Sequence, residues 1–301
     1  MELKLVYNCP EMPETNKSIH TIAILAHPQI PEAITEAAEI AAFLQDAGQQ
    51  VAYGLLNDER IRQMVEAKVV DLVIALGGDG TMLRAGHLCG PFGIPVLGIN
   101  MGRFGFLMEI RQNQWEEALR NWTQGSFWLE KRMMLVTEQK RQDEIVGKWD
   151  VVNEAVVSRG SFVRPVHLDT SVDGRYLTTY VADGLIASTP TGSTAYALAV
   201  GGPILAPELR NILLVPIAPH LSIDRAIVIA ERSSVSIIVH TSHQAVLSID
   251  GQPPIDLRDG DCIDVNVSAY TLNFVRFQDP GYFYRNLTPH MNRNPSLGAN
   301  R

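Results

Sequence analysis

The chain has 301 residues, of which 46% are hydrophobic and 19% are charged, so it can bury a large core and form two domains. Its formal net charge of -8 gives no electrostatic reason to expect a nucleic acid partner. Cys9, Cys89 and Cys262 are far apart and have no neighbouring histidine cluster, which argues against a disulfide framework or a zinc site. The first residues are too polar for a signal peptide, and no apolar run approaches roughly 18 residues. We therefore expect a cytoplasmic protein with no membrane partner.

The first 130 residues predict alternating strands and helices. Apolar runs at 20–26, 50–56, 69–75 and 94–100 are typical of strands. Between them, residues 31–47 have apolar side chains at helical spacing and stop at Gly48, and a shorter helix is predicted over 59–68. Strands separated by helices indicate βαβ units. We predict an α/β domain that is Rossmann-like, with a doubly wound parallel sheet.

After residue 130 the pattern becomes β-rich, and Asp173-Gly174 is typical of a hairpin turn. This predicts a mainly-β, β-sandwich-like C-terminal domain over residues 131–269. Aromatic residues after 270 are suited to packing, so we expect residues 270–301 to return to the α/β domain formed by residues 1–130.

A glycine-rich turn, Gly77-Gly78-Asp79-Gly80, directly follows a predicted buried strand. Open α/β sheets bind ligands at the carboxyl ends of their strands. Glycines there let the backbone approach a polyanion, and a following helix directs its positive end at phosphate. A carboxylate in such a loop points to metal binding or to removal of a proton from an attacking hydroxyl. Alone, the tetrapeptide is as typical of an ordinary turn.

Three segments of the β-rich half are unusual. Residues 183–196 contain five serine and threonine side chains before a helix-like stretch, which suits the polar edges of a nucleotide or an ordinary helix cap. Asn153-Glu154 interrupts an apolar strand. Because adjacent strand residues face opposite sides, at least one of the two should meet the core or a cleft, although solvent exposure by alternation stays open. Residues 249–254 are more typical of a hairpin turn than of a site.

The order and spacing of these motifs resemble the NAD kinase family over roughly residues 20 to 285. The matching segments are 77–81, 98–107, 153–154, 183–196, 219–222 and 250–252. The resemblance implies phosphoryl transfer from ATP or polyphosphate to the 2′-hydroxyl of the adenosine ribose of NAD, which gives NADP. It also implies Mg²⁺ or another divalent metal, and a homodimer or homotetramer.

The resemblance assigns roles to individual residues. It makes Asp79 the proton acceptor and places Gly80 against the nucleotide. Asn153 and Glu154 bind adenine and ribose, and Asp183 reaches the nicotinamide half. The other residues expected at the nucleotide are Arg164, Thr194, Ala195, Tyr196, Ala199 and Gln252. Arg84 is added for its position about one helical turn beyond the loop, where it offers positive charge to a phosphate, although an ordinary solvated helix residue is an equal interpretation. No residue is assigned as a metal ligand.

Two departures from the family pattern leave the substrates open. Relatives often carry hydroxyl side chains where this chain has Ala197 and Ala199, so only backbone or van der Waals contact remains there. Val181 is apolar where some relatives carry a charge. The choice between NAD and NADH therefore stays open, as does that between ATP and polyphosphate. The alternatives are another Gly-Gly-Asp-Gly kinase, acting on a lipid or a sugar phosphate, and a non-catalytic nucleotide sensor on the same scaffold.

Overall fold

The computed structural model describes residues 21–102, 105–220 and 222–291. Arg103, Phe104 and Leu221, which belong to two of the motifs, and the two chain ends lie outside the described residues. Within the described ranges, no helix combines the length and the apolar character that crossing a bilayer requires.

The N-terminal half contains a parallel sheet. Its strands are β1 (Thr21–Ala26), β2 (Gln50–Leu55), β3 (Leu72–Gly77) and β4 (Val96–Asn100), and a two-residue strand, β5 (Ile110–Arg111), pairs with the end of β4. The strands lie in the order β2-β1-β3-β4. Because β1 and β3 are central and covered on both sides, their residues are almost all buried.

Helices cover both faces of this sheet. They are α1 (Pro31–Asp46), α2 (Glu59–Glu66), α3 (Asp79–Cys89) and α4 (Trp115–Thr123). Pro31 stands at the start of α1, and the chain leaves that helix at Gly48, whose φ of +80° suits glycine. Helices α1 and α4 pack on one face, whereas α2 and α3 pack on the other. The predicted doubly wound arrangement is confirmed.

The second half is a β-sandwich. One layer contains β8 (Glu154–Arg159), β11 (Gly184–Ser188), β12 (Asn211–Ile217), β13 (Ile227–Ala230), β15 (Ala245–Ile249) and β16 (Ile255–Leu257). The other contains β6 (Trp128–Arg141), β7 (Glu144–Val151), β9 (Val166–Val172), β10 (Arg175–Ala182), β14 (Val235–His240) and β17 (Cys262–Arg276). Their inward-facing aliphatic side chains form one shared core. Asp173 and Gly174 both have positive φ between β9 and β10, as their hairpin turn requires.

Strand β17 joins the two halves. It pairs along its length with β6, and with β14 near its start. Near its end Phe274 pairs with Val96 of β4, so both halves share one sheet, which has eleven strands within the described ranges. Helix α6 (Tyr282–Met291) follows. The predicted domain boundaries at residues 130 and 270 thus fall inside β6 and β17, and the division itself stays a prediction.

Candidate active site

Asp79 is the first residue of α3, and its carboxylate is held by a neighbouring loop. Oδ2 accepts a hydrogen bond from the backbone N–H of Phe106 at 2.8 Å, and Oδ1 accepts one from Leu107 at 3.1 Å. A Cβ at Gly105 would lie 2.2 Å from the carboxylate, so only glycine permits this close approach. The loop therefore fixes the orientation of Asp79, a role for Gly105 that the sequence did not reveal.

The glycines around Asp79 border open space. Among the described residues, a Cβ built on Gly78 or Gly80 would have no atom within 4 Å apart from its chain neighbours and the backbone of its own helix. The amino terminus of α3, with its positive dipole end and no side-chain cap, lies at the same place. This combination accommodates an anionic group beside the Asp79 carboxylate.

Asn153 lies in the bend between β7 and β8, Glu154 is the first residue of β8, and both have buried polar atoms without partners among the described residues. Oδ1 of Asn153 and Oε2 of Glu154 have no hydrogen-bond partner among the described residues. Glu154 is 7% exposed, which agrees with the prediction that at least one of the pair lies inside. Burial, followed by the charge of Asp250, raises the pKa of Glu154 to about 8. Buried polar atoms are normally paired, so these two atoms are available to bind a ligand.

Asp250 holds this turn in place. Its carboxylate accepts backbone hydrogen bonds from Val152 at 2.7 Å, Asn153 at 2.7 Å and Glu154 at 2.8 Å. The Asp250 side chain is fully buried, and its φ of +48° belongs to the turn after β15. We call Asp250 with the backbone of residues 152–154 the Asp250 hub. Sequence reasoning treated Asp250 as part of a hairpin turn and missed this role.

Helix α3 reaches the Asp250 hub at its other end. Nε2 of His87 lies 2.6 Å from Oδ2 of Asp250. A cavity of about 380 Å³ runs beside α3, and its lining includes Arg62, Arg84, His87 and Gln252. Arg84 and Gln252, both predicted to bind nucleotide, are thus brought to one cavity with a positive lining.

The hydroxyl-rich segment supports the turn from the other side. Thr189 donates to the backbone oxygen of Val152 at 2.6 Å, and Ser188 donates to that of Asn153 at 3.1 Å. Ser193 donates to a carbonyl of its own turn at 2.6 Å. All three side chains are buried. Their hydroxyls are used within the protein, which differs from the expectation that this segment presents them to a nucleotide.

The other predicted residues lie outside the Asp250 hub. Tyr196 begins the single-turn helix α5 (Tyr196–Ala199) and is 43% exposed, so its ring is accessible. Thr194 donates to a backbone oxygen of its own turn at 3.1 Å. Asp183 is half-buried and lies 2.9 Å from Nε of Arg159. Arg164 is exposed and makes no hydrogen bond or ion pair among the described residues. Ala195 and Ala199 flank Tyr196 in the same segment.

A buried charge cluster connects the Asp79 loop with the hydroxyl-rich segment. Arg276 donates to Glu130 at 2.8 Å and to the backbone oxygen of Leu107 at 2.9 Å. Arg132 donates to Glu130 at 2.9 Å and to Thr191 at 3.3 Å. Burial works against ionisation of Glu130, but the two guanidinium groups outweigh it and lower its pKa to about 2. The cluster ties together the two parts of the candidate site.

A larger hollow of about 1150 Å³ lies on the α1 and α4 side and is mainly acidic. Four glutamates and two arginines contribute to its lining: Glu36, Glu39, Glu116, Glu117, Arg111 and Arg120. An acidic lining disfavours a polyphosphate. Among all the described residues, including those of this hollow, no group of three or more His, Cys, Asp or Glu side chains is arranged to hold a metal.

Comparisons with known proteins match both halves of the chain. Residues 22–127 match the model of the ATP-NAD kinase N-terminal domain, and residues 152–277 match that of the ATP-NAD kinase C-terminal domain. The NAD kinase of Citrifermentans bemidjiense is 37% identical over 273 residues, which cover 87% of this chain and 95% of that protein.

Solved structures give the same result for the fold. The yeast NADH kinase complexed with NADH has a TM-score of 0.82 at 26% identity, with 95% of this chain and 91% of that chain covered. The NAD kinase from Archaeoglobus fulgidus in complex with ATP has a TM-score of 0.70 at 24% identity, with 90% and 98% covered, and this likeness concerns the fold alone.

Proposed function

We infer that this chain, which belongs to the NAD kinase family, phosphorylates NAD to NADP with ATP. The observation that carries the site assignment is the placement of α3. This helix has the Asp79 carboxylate at one end, beside open space, and at the other end contacts the Asp250 hub through His87. The backbone that Asp250 binds belongs to Asn153 and Glu154, whose side-chain oxygens Oδ1 and Oε2 have no partner among the described residues.

We propose that Asp79 accepts the proton of the ribose 2′-hydroxyl. The hydroxyl oxygen forms a bond to the γ-phosphorus as the bond from that phosphorus to the bridging oxygen of ADP breaks. An ionised carboxylate has about four lone-pair positions, and the two described backbone hydrogen bonds use one on each oxygen of Asp79. Capacity to bind the hydroxyl therefore remains. Phosphoryl transfer otherwise requires mainly positioning and charge stabilisation.

The unpartnered atoms of Asn153 and Glu154 support binding of the NAD acceptor at the Asp250 hub. Glu154, with a pKa of about 8, is mostly a neutral acid at pH 7 and can both donate and accept a hydrogen bond. Tyr196 offers an exposed ring for stacking on adenine. Asp183, Thr194, Ala195, Ala199 and Arg164 remain proposed contacts.

The donor phosphates fit the open space over Gly78 and Gly80, where the amino terminus of α3 attracts anions. Arg84 and Gln252 line the cavity beside α3. Mg²⁺ typically binds one or two carboxylates together with substrate phosphates. The isolated Asp79 carboxylate suits a metal delivered with ATP better than one held in a protein cage. Such an ion neutralises charge on the transferred group.

The test is an NADP assay with purified protein, NAD, ATP and Mg²⁺, with product detection by mass spectrometry. We expect NADP from the parent and a kcat lower by roughly 10²–10⁴-fold in Asp79→Asn, the usual range for loss of a general base. Asp173→Asn is the matched control, because this turn aspartate lies in the β9–β10 hairpin and should leave the rate unchanged. No NADP from the parent with any donor, or an undiminished rate in Asp79→Asn, contradicts the proposal.

The same assay separates the alternatives. Polyphosphate replaces ATP in one arm, and NADH replaces NAD in another. Diacylglycerol and fructose 6-phosphate serve as competing acceptors, and phosphorylation of either in place of NAD indicates a different kinase. Tight NAD binding without turnover indicates a nucleotide sensor.

We further propose that the protein acts in the cytoplasm as a homodimer or homotetramer. Tyr176 and Tyr270 are exposed on the sandwich and are available for contacts between copies. Light scattering coupled to size exclusion measures the mass, and a monomer at micromolar concentration contradicts the assembly.

A further inference from the structure

We propose that His87 is a positioning residue for phosphoryl transfer. His87 sets the position of α3, and therefore of Asp79, relative to the Asn153–Glu154 segment. His87 does this by donating a hydrogen bond to Asp250. The inference deepens the proposed function and rests on it, because the distance that it controls lies between the proton acceptor and the dinucleotide.

The Asp250 carboxylate accepts as many hydrogen bonds as it has lone-pair positions. Oδ1 accepts the N–H groups of Asn153 and Glu154, whereas Oδ2 accepts the N–H of Val152 and lies 2.6 Å from His87. Four donors thus occupy the roughly four lone-pair positions of a carboxylate. A carboxylate only accepts, so His87 contributes an Nε2–H. The other three donors are backbone groups of one turn, and His87 brings in a different element.

The contact between His87 and Asp250 is shielded from solvent. The Asp250 side chain is 0% exposed and that of His87 is 20% exposed. Water therefore has no access to the carboxylate, and a lost donor at that position cannot be replaced from solvent. The contact joins residues 163 positions apart in the chain, so it is a tertiary constraint between the α/β half and the β-sandwich.

Helix α3 is a stiff connection between His87 and Asp79. Asp79 and His87 lie at the two ends of this 11-residue helix, about 12 Å apart at 1.5 Å per residue. Met82 and Ala85, on the buried face between them, pack in the core. A helix held in this way moves as a unit, so a shift at His87 displaces the Asp79 carboxylate. A misplacement of about 1 Å at a reacting group lowers the rate by about 10²-fold.

The experiment compares two substitutions of one side chain. His87→Leu removes the donor and keeps most of the bulk, whereas His87→Gln keeps an N–H donor. We expect His87→Leu to lower kcat by 10- to 100-fold with less than threefold change in KM for NAD or ATP, and His87→Gln to regain most of the rate. His240→Leu is the matched control. His240 forms a similar pair with Asp169 at 3.0 Å, but on the exposed side of the sandwich, and its loss should change kcat by less than twofold.

A double-mutant cycle tests whether His87 acts through Asp250. Asp250→Asn disturbs the backbone of the turn and is expected to raise KM for NAD. On that background, adding His87→Leu should lower kcat by less than threefold, because coupled residues are not additive. Thermal melts of every variant identify loss of folding. If His87→Leu is unfolded, His87→Ala, which also removes the donor, takes its place, and parental kcat in that variant overturns the assignment.

The remaining outcomes overturn the assignment. A His87→Leu enzyme with parental kcat does so, as do fully additive effects in the cycle. A raised KM for ATP at unchanged kcat makes His87 a donor-binding residue instead. A parent that forms no NADP overturns the proposed function together with this inference, whereas an active parent with an equally active His87→Leu variant overturns the inference alone.

Discussion

Replacement of Glu154 by glutamine is expected to make the free protein more stable above pH 8, although the residue lies in the candidate active site. Burial and the neighbouring charge of Asp250 raise the pKa of Glu154 from 4.5 to about 8. Glutamine has a similar shape and never ionises. The variant therefore avoids the buried negative charge that the parent must form at alkaline pH.

The sign and size follow from proton linkage. Between pH 4.5 and 8 the folded protein binds the Glu154 proton and the unfolded chain does not, so this contribution to stability is complete below pH 4.5 and is lost as pH rises through 8. Each pH unit is worth about 1.4 kcal/mol, so the loss reaches at most about 5 kcal/mol. Glu154→Gln lacks this dependence, and its advantage should grow by several kcal/mol between pH 5 and pH 8.5.

Urea unfolding of parent and variant at pH 5, 7 and 8.5 measures the difference in free energy of unfolding. Glu116→Gln is the control, since that glutamate is exposed on α4 and its substitution should give the same small difference at each pH. A Glu154→Gln difference that stays constant from pH 5 to pH 8.5 refutes the reasoning.

Three further substitutions test the supports of the site. Gly105→Ala puts a methyl group 2.2 Å from the Asp79 carboxylate and should lower kcat by roughly 10²-fold, because the carboxylate is displaced. A parental kcat in steady-state kinetics contradicts this prediction. Glu130→Gln leaves two buried guanidinium groups without their carboxylate and should destabilise the fold by about 3–5 kcal/mol, which an unchanged urea midpoint would disprove. Thr189→Val removes the 2.6 Å hydrogen bond to Val152 and should lower the free energy of unfolding by about 1–3 kcal/mol and raise KM for NAD. A variant with parental stability and parental KM argues against a supporting role for Thr189.

Local patterns in the sequence were sufficient to predict the fold. Helical spacing with stops such as Gly48 predicted the α/β half, and Asp173-Gly174 predicted the β9–β10 hairpin, because these features depend on neighbouring residues. The alternation of side chains along a strand predicted only that at least one residue of the Asn153-Glu154 pair meets the core or a cleft. Glu154 is buried, but it begins β8 and Asn153 precedes that strand, so the rule did not identify which residue lies inside.

The supports of the site depend on distant partners and were not predicted. The backbone donors that Asp250 binds lie 96 to 98 residues earlier in the chain. An Asp-Gly pair has the same local signature whether or not its carboxylate holds another turn. Ser188 and Thr189 illustrate the same limit, because a hydroxyl group that binds backbone oxygen cannot be told by residue type from one that binds a ligand.

Strand β17 also determines the order in which the chain can finish folding. The β4 edge of the N-terminal sheet pairs with Phe274, which is synthesised long after Val96. At about 5–20 residues per second, the interval is roughly 10 to 35 s. During translation an apolar parallel strand therefore has an open side, the arrangement that invites association with other chains. Completion of the nascent α/β half depends on β17, the last strand among the described residues, so a chain that stops before residue 274 loses the closure of both halves.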